Sequence, residues 1–356
     1  MVEAASERVE LSIDGMLYAG WTGVSIIRAI DTMSGEFTLS LTDRERIGAD
    51  RLDIRAGLAC KVKVGGETLI TGWIDRISPQ IDANSHSIEV AGRDKAADLI
   101  DCSAIAKPGL WKNVSIEAIA EQLAKPFGVS VTAKASTAPS LRRFALQQGE
   151  TVQAAIERLC RFRGLLAIST PEGNIELITP AQGATVATIS DRDRAISLSA
   201  THDVAERFSE YVILGQSSGS NEINGRAAAS PRGSAKDPSV KRYRPLVIVA
   251  EEQGDAASLE KRAKWEATTR AGRAQEATIT VPGWRVPGDG RLWAPNLRVQ
   301  LDAPAIYMQG EMLVTSAALT RDESGTTTVL KLSPPEAWSQ LAIPEQADAS
   351  AVGKKK

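Results

Sequence analysis

Histidine is almost missing from this chain: His86 and His202 are the only two in 356 residues. His86 stands in a polar turn. His202 precedes Asp203, and a carboxylate beside an imidazole raises its basicity, so this is the one conceivable general base. An exposed turn histidine is the simpler account. The signatures GxSxG, HExxH and the P-loop are all lacking, as is any heptad run. Asp191-x-Asp193 is interleaved with Arg192 and Arg194 and reads as alternating charge at a strand end. Gly288-Asp289-Gly290 is a lone GxG, too little for a nucleotide loop. These absences predict a protein that is not an enzyme and holds no cofactor or metal.

Cysteine is scarce too. Cys60, Cys102 and Cys160 form no CxxC pair and leave one over, which suits a reducing compartment better than a disulfide framework. No 18 apolar residues run together, and the N-terminal MVEAASERVELSID has no apolar signal region, so neither a membrane span nor secretion is expected. The formal net charge of −2 does not indicate a generic polyanion-binding surface. What remains is an ordinary globular composition, 43% hydrophobic and 24% charged, long enough for two or three domains.

The stretch Leu58–Asp101 reads as three strands. Val62 and Val64 share one face of the first, with Lys61 and Lys63 on the other. Gly65-Gly66 turns into a strand around Ile70–Ile77, and Ile88 and Val90 share a face of the third. Period-two alternation between polar turns is the mark of half-buried antiparallel strands. A similar pattern returns in Asn296–Trp338. There Val299 and Leu301 correspond to Val62 and Val64, Met312–Leu319 to Ile70–Ile77, and Thr328–Leu332 to Ser87–Val90. Two related β modules in one chain point to a quasi-symmetric scaffold.

Alternation at Val9, Leu11 and Ile13 and at Phe37, Leu39 and Leu41 brings the first module to about six short strands, the count of a small barrel or sandwich. From Asp101 the spacing turns helical. Ile116, Ile119, Ala120 and Leu123 follow a cap at Asn113 or Ser115, and Val152, Ile156, Leu159 and Cys160 follow Thr151. Strands at Leu165–Ser169 and Ile175–Ile178 complete a small α/β domain. Strands return at Ala195–Leu198, Tyr211–Leu214 and Pro245–Ala250. Residues 216–239, rich in Ser and Gly, predict a flexible insertion. A helix is expected over 255–271, closed by Gly272. The predicted fold class is therefore α+β, mainly β: a first β-barrel over 1–101, a small α/β domain over 102–188, a second β-barrel over 189–338, and a flexible tail over 339–356.

Several motifs together carry a family resemblance. Gly72-Trp73-Ile74-Asp75, Ile88–Asp94 and Asp98-Leu99-Ile100-Asp101 resemble the first barrel of Mu-type phage baseplate central hub proteins, of the late control protein D group. Gly149-Glu150-Thr151-Val152, Ile156–Leu159 and Gly164-Leu165-Leu166 are similar to that family's middle domain. Arg244–Ile248, Arg262–Glu266 and Gly290–Pro295 resemble its last third. The order and spacing span about residues 8–338.

The resemblance implies a structural virion protein of a contractile tail, assembled in the host cytoplasm. It implies a homotrimer forming a pseudo-sixfold ring between the tail tube, the membrane-piercing spike and other baseplate proteins. DNA would pass through the lumen without sequence-specific binding, and no stable membrane anchoring is implied. Outward strand residues are the interface candidates: Lys61, Lys63, Arg76 and Glu89 on the first module, and Arg298, Gln300 and Lys331 on the second. The alternative is a carbohydrate-active or cell-wall-binding β protein, with Trp284 and Trp293 as a sugar platform and Asp191 or Asp203 as an acid, although packing in a barrel core accounts better for both tryptophans. A glycosidase needs two carboxylates at a set separation, and no such pair is fixed by this sequence.

Overall fold

The computed structural model describes residues 7–42, 54–81, 86–192, 195–215, 231–250 and 256–342. The first strands follow the alternation that predicts them. β1 (Val9–Ile13) buries Val9, Leu11 and Ile13. Asp14, at φ 48°, and Gly15 then turn the chain into β2 (Met16–Tyr18). β3 (Gly23–Ala29) buries Val24 and Ile26, and β4 (Glu36–Thr42) buries Phe37 and Leu39. β5 (Ala59–Val64), β6 (Glu67–Ile81) and β7 (His86–Asp94) are the three strands expected in Leu58–Asp101. Cys60, Val62, Val64, Ile70, Ile74 and Val90 pack beneath them.

The α/β domain contains α1 (Ala97–Asp101), β8 (Leu110–Trp111), α2 (Ile116–Ala124), β9 (Val131–Ala133), β10 (Phe144–Ala145), α3 (Val152–Arg161), β11 (Leu166–Ser169) and β12 (Ile175–Ile178). Both expected caps form. Ser115 accepts from the Ala118 N–H and Thr151 from the Ala154 N–H, each at 3.2 Å. The stripes Ile116, Ile119, Leu123 and Val152, Ile156, Leu159 then meet in a core of their own.

The second half opens with β13 (Thr185–Ser190) and β14 (Ser197–His202). A separate three-stranded sheet follows, made of β15 (Glu210–Leu214), β16 (Arg232–Lys236) and β17 (Pro245–Val249). It is covered by α4 (Ala256–Arg273) over Tyr211, Ile213, Leu259 and Ala263. β18 (Gln275–Pro282), β19 (Arg298–Ala303), β20 (Met308–Asp322) and β21 (Gly325–Ser333) complete the described strands.

Two expectations are corrected here. Residues 216–230 of the expected insertion lie outside the described residues, but 232–236 form β16, paired antiparallel with β15. Its residues carry no apolar alternation because its buried position is Gly233, where a Cβ would stand 2.2 Å from the Glu260 nitrogen of α4. Gly272 does not close α4 either. The helix continues to Arg273, and Gly272 is where the segment at Ala337 crosses it: a Cβ there would lie 2.5 Å from the Ala337 nitrogen.

The two β modules share one strand order. The first runs β3-β4-β7-β6-β5-β1, the second β14-β18-β21-β20-β19-β13. β6 and β20 both have 15 residues, and each carries a bulge, between Ile74 and Arg76 and between Val314 and Ser316. Aligned on these bulges, Phe37 and Leu39 of β4 fall on Ala277 and Ile279 of β18, all four buried. Among the described residues neither module closes into the expected barrel. Instead β3 pairs with β20, so 13 strands of both modules form one sheet over one continuous core.

Candidate assembly interface

The seam between the modules is the instructive contact. β20 is long enough to serve two neighbours on one edge. Met308–Leu313 pairs with β19, and Ser316–Arg321 pairs with β3, from Ser316 opposite Ala29 to Arg321 opposite Val24. The bulge at Thr315 divides the two stretches. Leu319 and Ile26 face each other there, 3% and 0% exposed, so the seam is packed like the interior of either module.

A polar joint fixes the α/β domain to this sheet. Asp94, at the end of β7, is 1% exposed. It accepts from the Gly35 N–H at 2.7 Å, the Ala96 N–H at 3.0 Å and the Ser34 hydroxyl at 2.9 Å. Burial pushes its carboxyl up, opposed by the bonds from Gly35, Ser169 and Ser34 and by the Arg28 charge. Arg28 of β3 is itself lowered by burial, and it donates to the Ser169 carbonyl of β11 at 2.6 Å. Above them Arg93 donates to Asp75 and Asp101, each at 2.8 Å, which raises the guanidinium and lowers Asp101. Lys95 reaches the Gly128 carbonyl at 3.1 Å. The sequence reading singled out none of these roles. Its visible signals were the motifs Gly72–Asp75, Ile88–Asp94 and Asp98–Asp101, quoted for resemblance alone.

The interface candidates all lie on the sheet's polar side. Lys61 and Lys63 of β5 stand opposite Cys60, Val62 and Val64, and Gln300 of β19 stands opposite Val299 and Leu301. By the bulge alignment and strand registers, Lys61 and Gln300 occupy equivalent places. Arg76 and Glu89 form an exposed cross-strand pair at 2.8 Å. Arg298 pairs with Glu311 and donates to the Gly183 carbonyl at 2.8 Å, so it braces the strand ends of its own module. Lys331 is exposed on β21.

The residues of the carbohydrate reading are not brought together. Trp284 and Trp293 are 0% and 2% exposed, in the common core, and offer no platform. The Trp284 indole donates to the Thr320 and Thr327 carbonyls, with the Arg321 guanidinium 4.7 Å from its ring centre. His202 Nε2 lies 3.1 Å from the Ile306 carbonyl, while Asp203 accepts from the Ala205 N–H and Asp191 from the Ala305 N–H. A cavity of about 240 Å³ beside Trp293 is lined by Ala187, Thr188, Ile189, Val281, Pro282 and Pro287, with no ionisable side chain. Among the described residues no cluster of His, Cys, Asp and Glu could hold a metal, and no helix is long and apolar enough to cross a membrane.

Family models match the chain in succession. Residues 8–94 match the N-terminal domain of the Mu phage baseplate assembly protein GpP-like family, and 96–179 the second domain of the baseplate hub protein gp44-like family. Residues 207–265 match the third domain of NMB1110-like tail proteins, and 255–340 the fourth domain of GpP. The baseplate hub protein gp44 of Escherichia phage Mu is 34% identical over 352 residues, 96% of this chain and 91% of that protein. The 43 kDa tail protein of prophage MuSo2 from Shewanella oneidensis superposes with a TM-score of 0.85 at 32% identity, over 94% of this chain and all of that one. A tail protein from Neisseria meningitidis MC58 has the same fold, with a TM-score of 0.77 at 24% identity over 94% of this chain and all of that one. With identity at that level along nearly the whole of both sequences, the chain belongs to the Mu-type phage baseplate hub protein family.

Proposed function

We propose that the chain is the structural hub of a contractile phage-type tail, a homotrimeric ring that adapts a sixfold tail tube to a threefold membrane-piercing spike. The observation that carries this reading is the doubled module: six strands in one order occur twice in one chain, joined edge to edge. Three such chains present six similar faces, which reconciles the two symmetries. In this reading 1–101 and 189–338 are the ring-forming domains, 102–188 is a peripheral α/β domain, and 339–356 is a tail. Lys61, Lys63, Arg76, Glu89, Arg298, Gln300 and Lys331 meet neighbouring copies, tube and spike. The lumen passes DNA without reading its sequence, and the ring acts without catalysis, in the virion after assembly in host cytoplasm. Light scattering and negative-stain imaging of the purified chain test it. A threefold mass and annular particles are expected, and a monomeric or dimeric mass at all concentrations and salts refutes it.

A further inference from the structure

The first module shows what fits beside Trp293 in the second. In the bulge alignment Cys60, Lys61 and Val62 of β5 correspond to Val299, Gln300 and Leu301 of β19. Ser12 and Leu11 of β1 stand opposite Lys61 and Val62, as Thr188 and Ile189 of β13 stand opposite Gln300 and Leu301. Ile13 and Ala187 follow in step. On its other edge β1 carries β2, with Tyr18 beside Leu11, Leu17 beside Ser12 and Met16 beside Ile13. Among the described residues β13 has no strand on that edge. The counterparts of the three residues that β2 covers, Ala187, Thr188 and Ile189, all line the cavity of about 240 Å³. Val281, which also lines it, corresponds to Leu41 of β4, and both Leu41 and Tyr18 pack on the common core. The difference extends to a hydrogen bond. Trp21 donates to the Tyr18 carbonyl at 3.2 Å, whereas the Trp293 indole lines the cavity with a buried Nε1 that has no partner. A buried donor left unpaired is costly, and such groups are few in a native fold.

We infer that this cavity receives a short extended segment of another protein, lying beside β13 as β2 lies beside β1, with an aromatic side chain at the place of Tyr18. Backbone pairing to an open strand edge supplies affinity, and alternate side chains supply selectivity. The residues beside Ile189 and Ala187 face the cavity, and the one between them, beside Thr188, faces solvent. β13 runs against the direction of β1, which leaves this alternation of faces unchanged. An aromatic ring is what the walls suit. They carry no ionisable side chain, and the volume exceeds the roughly 150 Å³ in which an apolar cavity takes up benzene. The carbonyl of the aromatic residue accepts from Trp293 Nε1, as that of Tyr18 accepts from Trp21. The site does not depend on the ring reading above.

Fluorine NMR of the full-length protein labelled with 5-fluorotryptophan tests it, with Trp293→Phe identifying the signal. The probe is the end-blocked peptide Gly15–Gly20 of this chain, which carries β2. The Trp293 signal is expected to shift saturably, and Tyr18→Ala in the peptide to weaken binding roughly tenfold or more. Ala187→Phe, which fills the cavity, is expected to abolish the shift with the far-UV circular dichroism unchanged. A disulfide gives an independent measurement. In a Cys102→Ser background, which removes the exposed native thiol, Thr188→Cys is expected to link to the Leu17→Cys peptide, whose thiol stands beside it in either chain direction. The Met16→Cys and Tyr18→Cys peptides are expected to stay unlinked. An unmoved Trp293 signal at millimolar peptide overturns the site, as does a shift that survives both Tyr18→Ala and Ala187→Phe. Linkage through the Met16 or Tyr18 position overturns the register. Binding that appears only after removal of residues 1–6 makes the occupant a segment of this chain and overturns the assignment of a foreign partner.

Discussion

Replacing Asp94 by Ala removes the hydrogen bonds it accepts from Gly35, Ala96, Ser34 and Ser169 at the joint between sheet and α/β domain, and their inequality sets the magnitude. The Ser34 hydroxyl loses little, because it also reaches the Gly35 carbonyl at 3.1 Å. The Gly35 and Ala96 N–H groups are both buried against Asp94. Each unpaired donor costs roughly 1–3 kcal/mol, and Arg28 loses the carboxylate that faces it, so the expected loss is about 3–5 kcal/mol. Arg28→Ala removes the bond to Ser169 and costs about 2–4 kcal/mol. Because the two groups share one buried site, the double variant costs less than the sum, with a coupling of roughly 1 kcal/mol or more. Urea unfolding of the four proteins, followed by far-UV circular dichroism, measures the cycle. A loss below about 1 kcal/mol for Asp94→Ala, or strict additivity, refutes the reasoning.

Further outcomes concern the other cores. Burial raises Asp237, but bonds from Ser239 and Arg207 outweigh it and leave the carboxyl below its ordinary range. Its stabilisation is therefore full above the unfolded value near 3.9 and is lost as pH falls through the lower folded value. Asp237→Asn is expected to cost about 1–3 kcal/mol at neutral pH, with the gap narrowing in acid unfolding titrations. Burial pushes the Cys60 and Cys160 thiols up to about 12, while Cys102 is exposed. One thiol should react rapidly with Ellman's reagent in the native protein and three after unfolding; prompt reaction of all three in the native state refutes this. Gly272→Ala drives a methyl into the Ala337 backbone and is expected to cost roughly 1–3 kcal/mol, read as a lowered Tm.

Much of this architecture was legible because a strand's burial has a period of two. That period also explains the limit of the reading. The sequence comparison set Val299 and Leu301 beside Val62 and Val64, whereas the bulges set them beside Cys60 and Val62. A slip of two residues keeps every apolar side chain on its face, so alternation alone does not detect it. Only the bulges, which break the period, fix the register. The seam was hidden for a related reason: β3 and β20 are nearly 300 residues apart, and nothing local in either marks its partner. β16 was missed because a buried glycine leaves no hydropathy signal. Trp284 and Trp293 lie in the core, where the sequence reading set them ahead of a sugar platform.

The places where the copies differ are informative. β3 and β4 are joined by residues 30–35, whereas the equivalent β14 and β18 are separated by residues 203–274, which include β15–β17 and α4. The extra sheet therefore occupies a hairpin connection, where a long excursion costs little because closure entropy grows only slowly with length. β1 lies antiparallel to β5, but β13, which follows the α/β domain in the chain, lies parallel to β19. Both changes fall outside the four strands β4-β7-β6-β5 and their counterparts. Among the described residues they also leave the edges of β14 and of the outer half of β6 without a paired strand. A repeated module can therefore take an insertion at a turn while its four central strands keep one order.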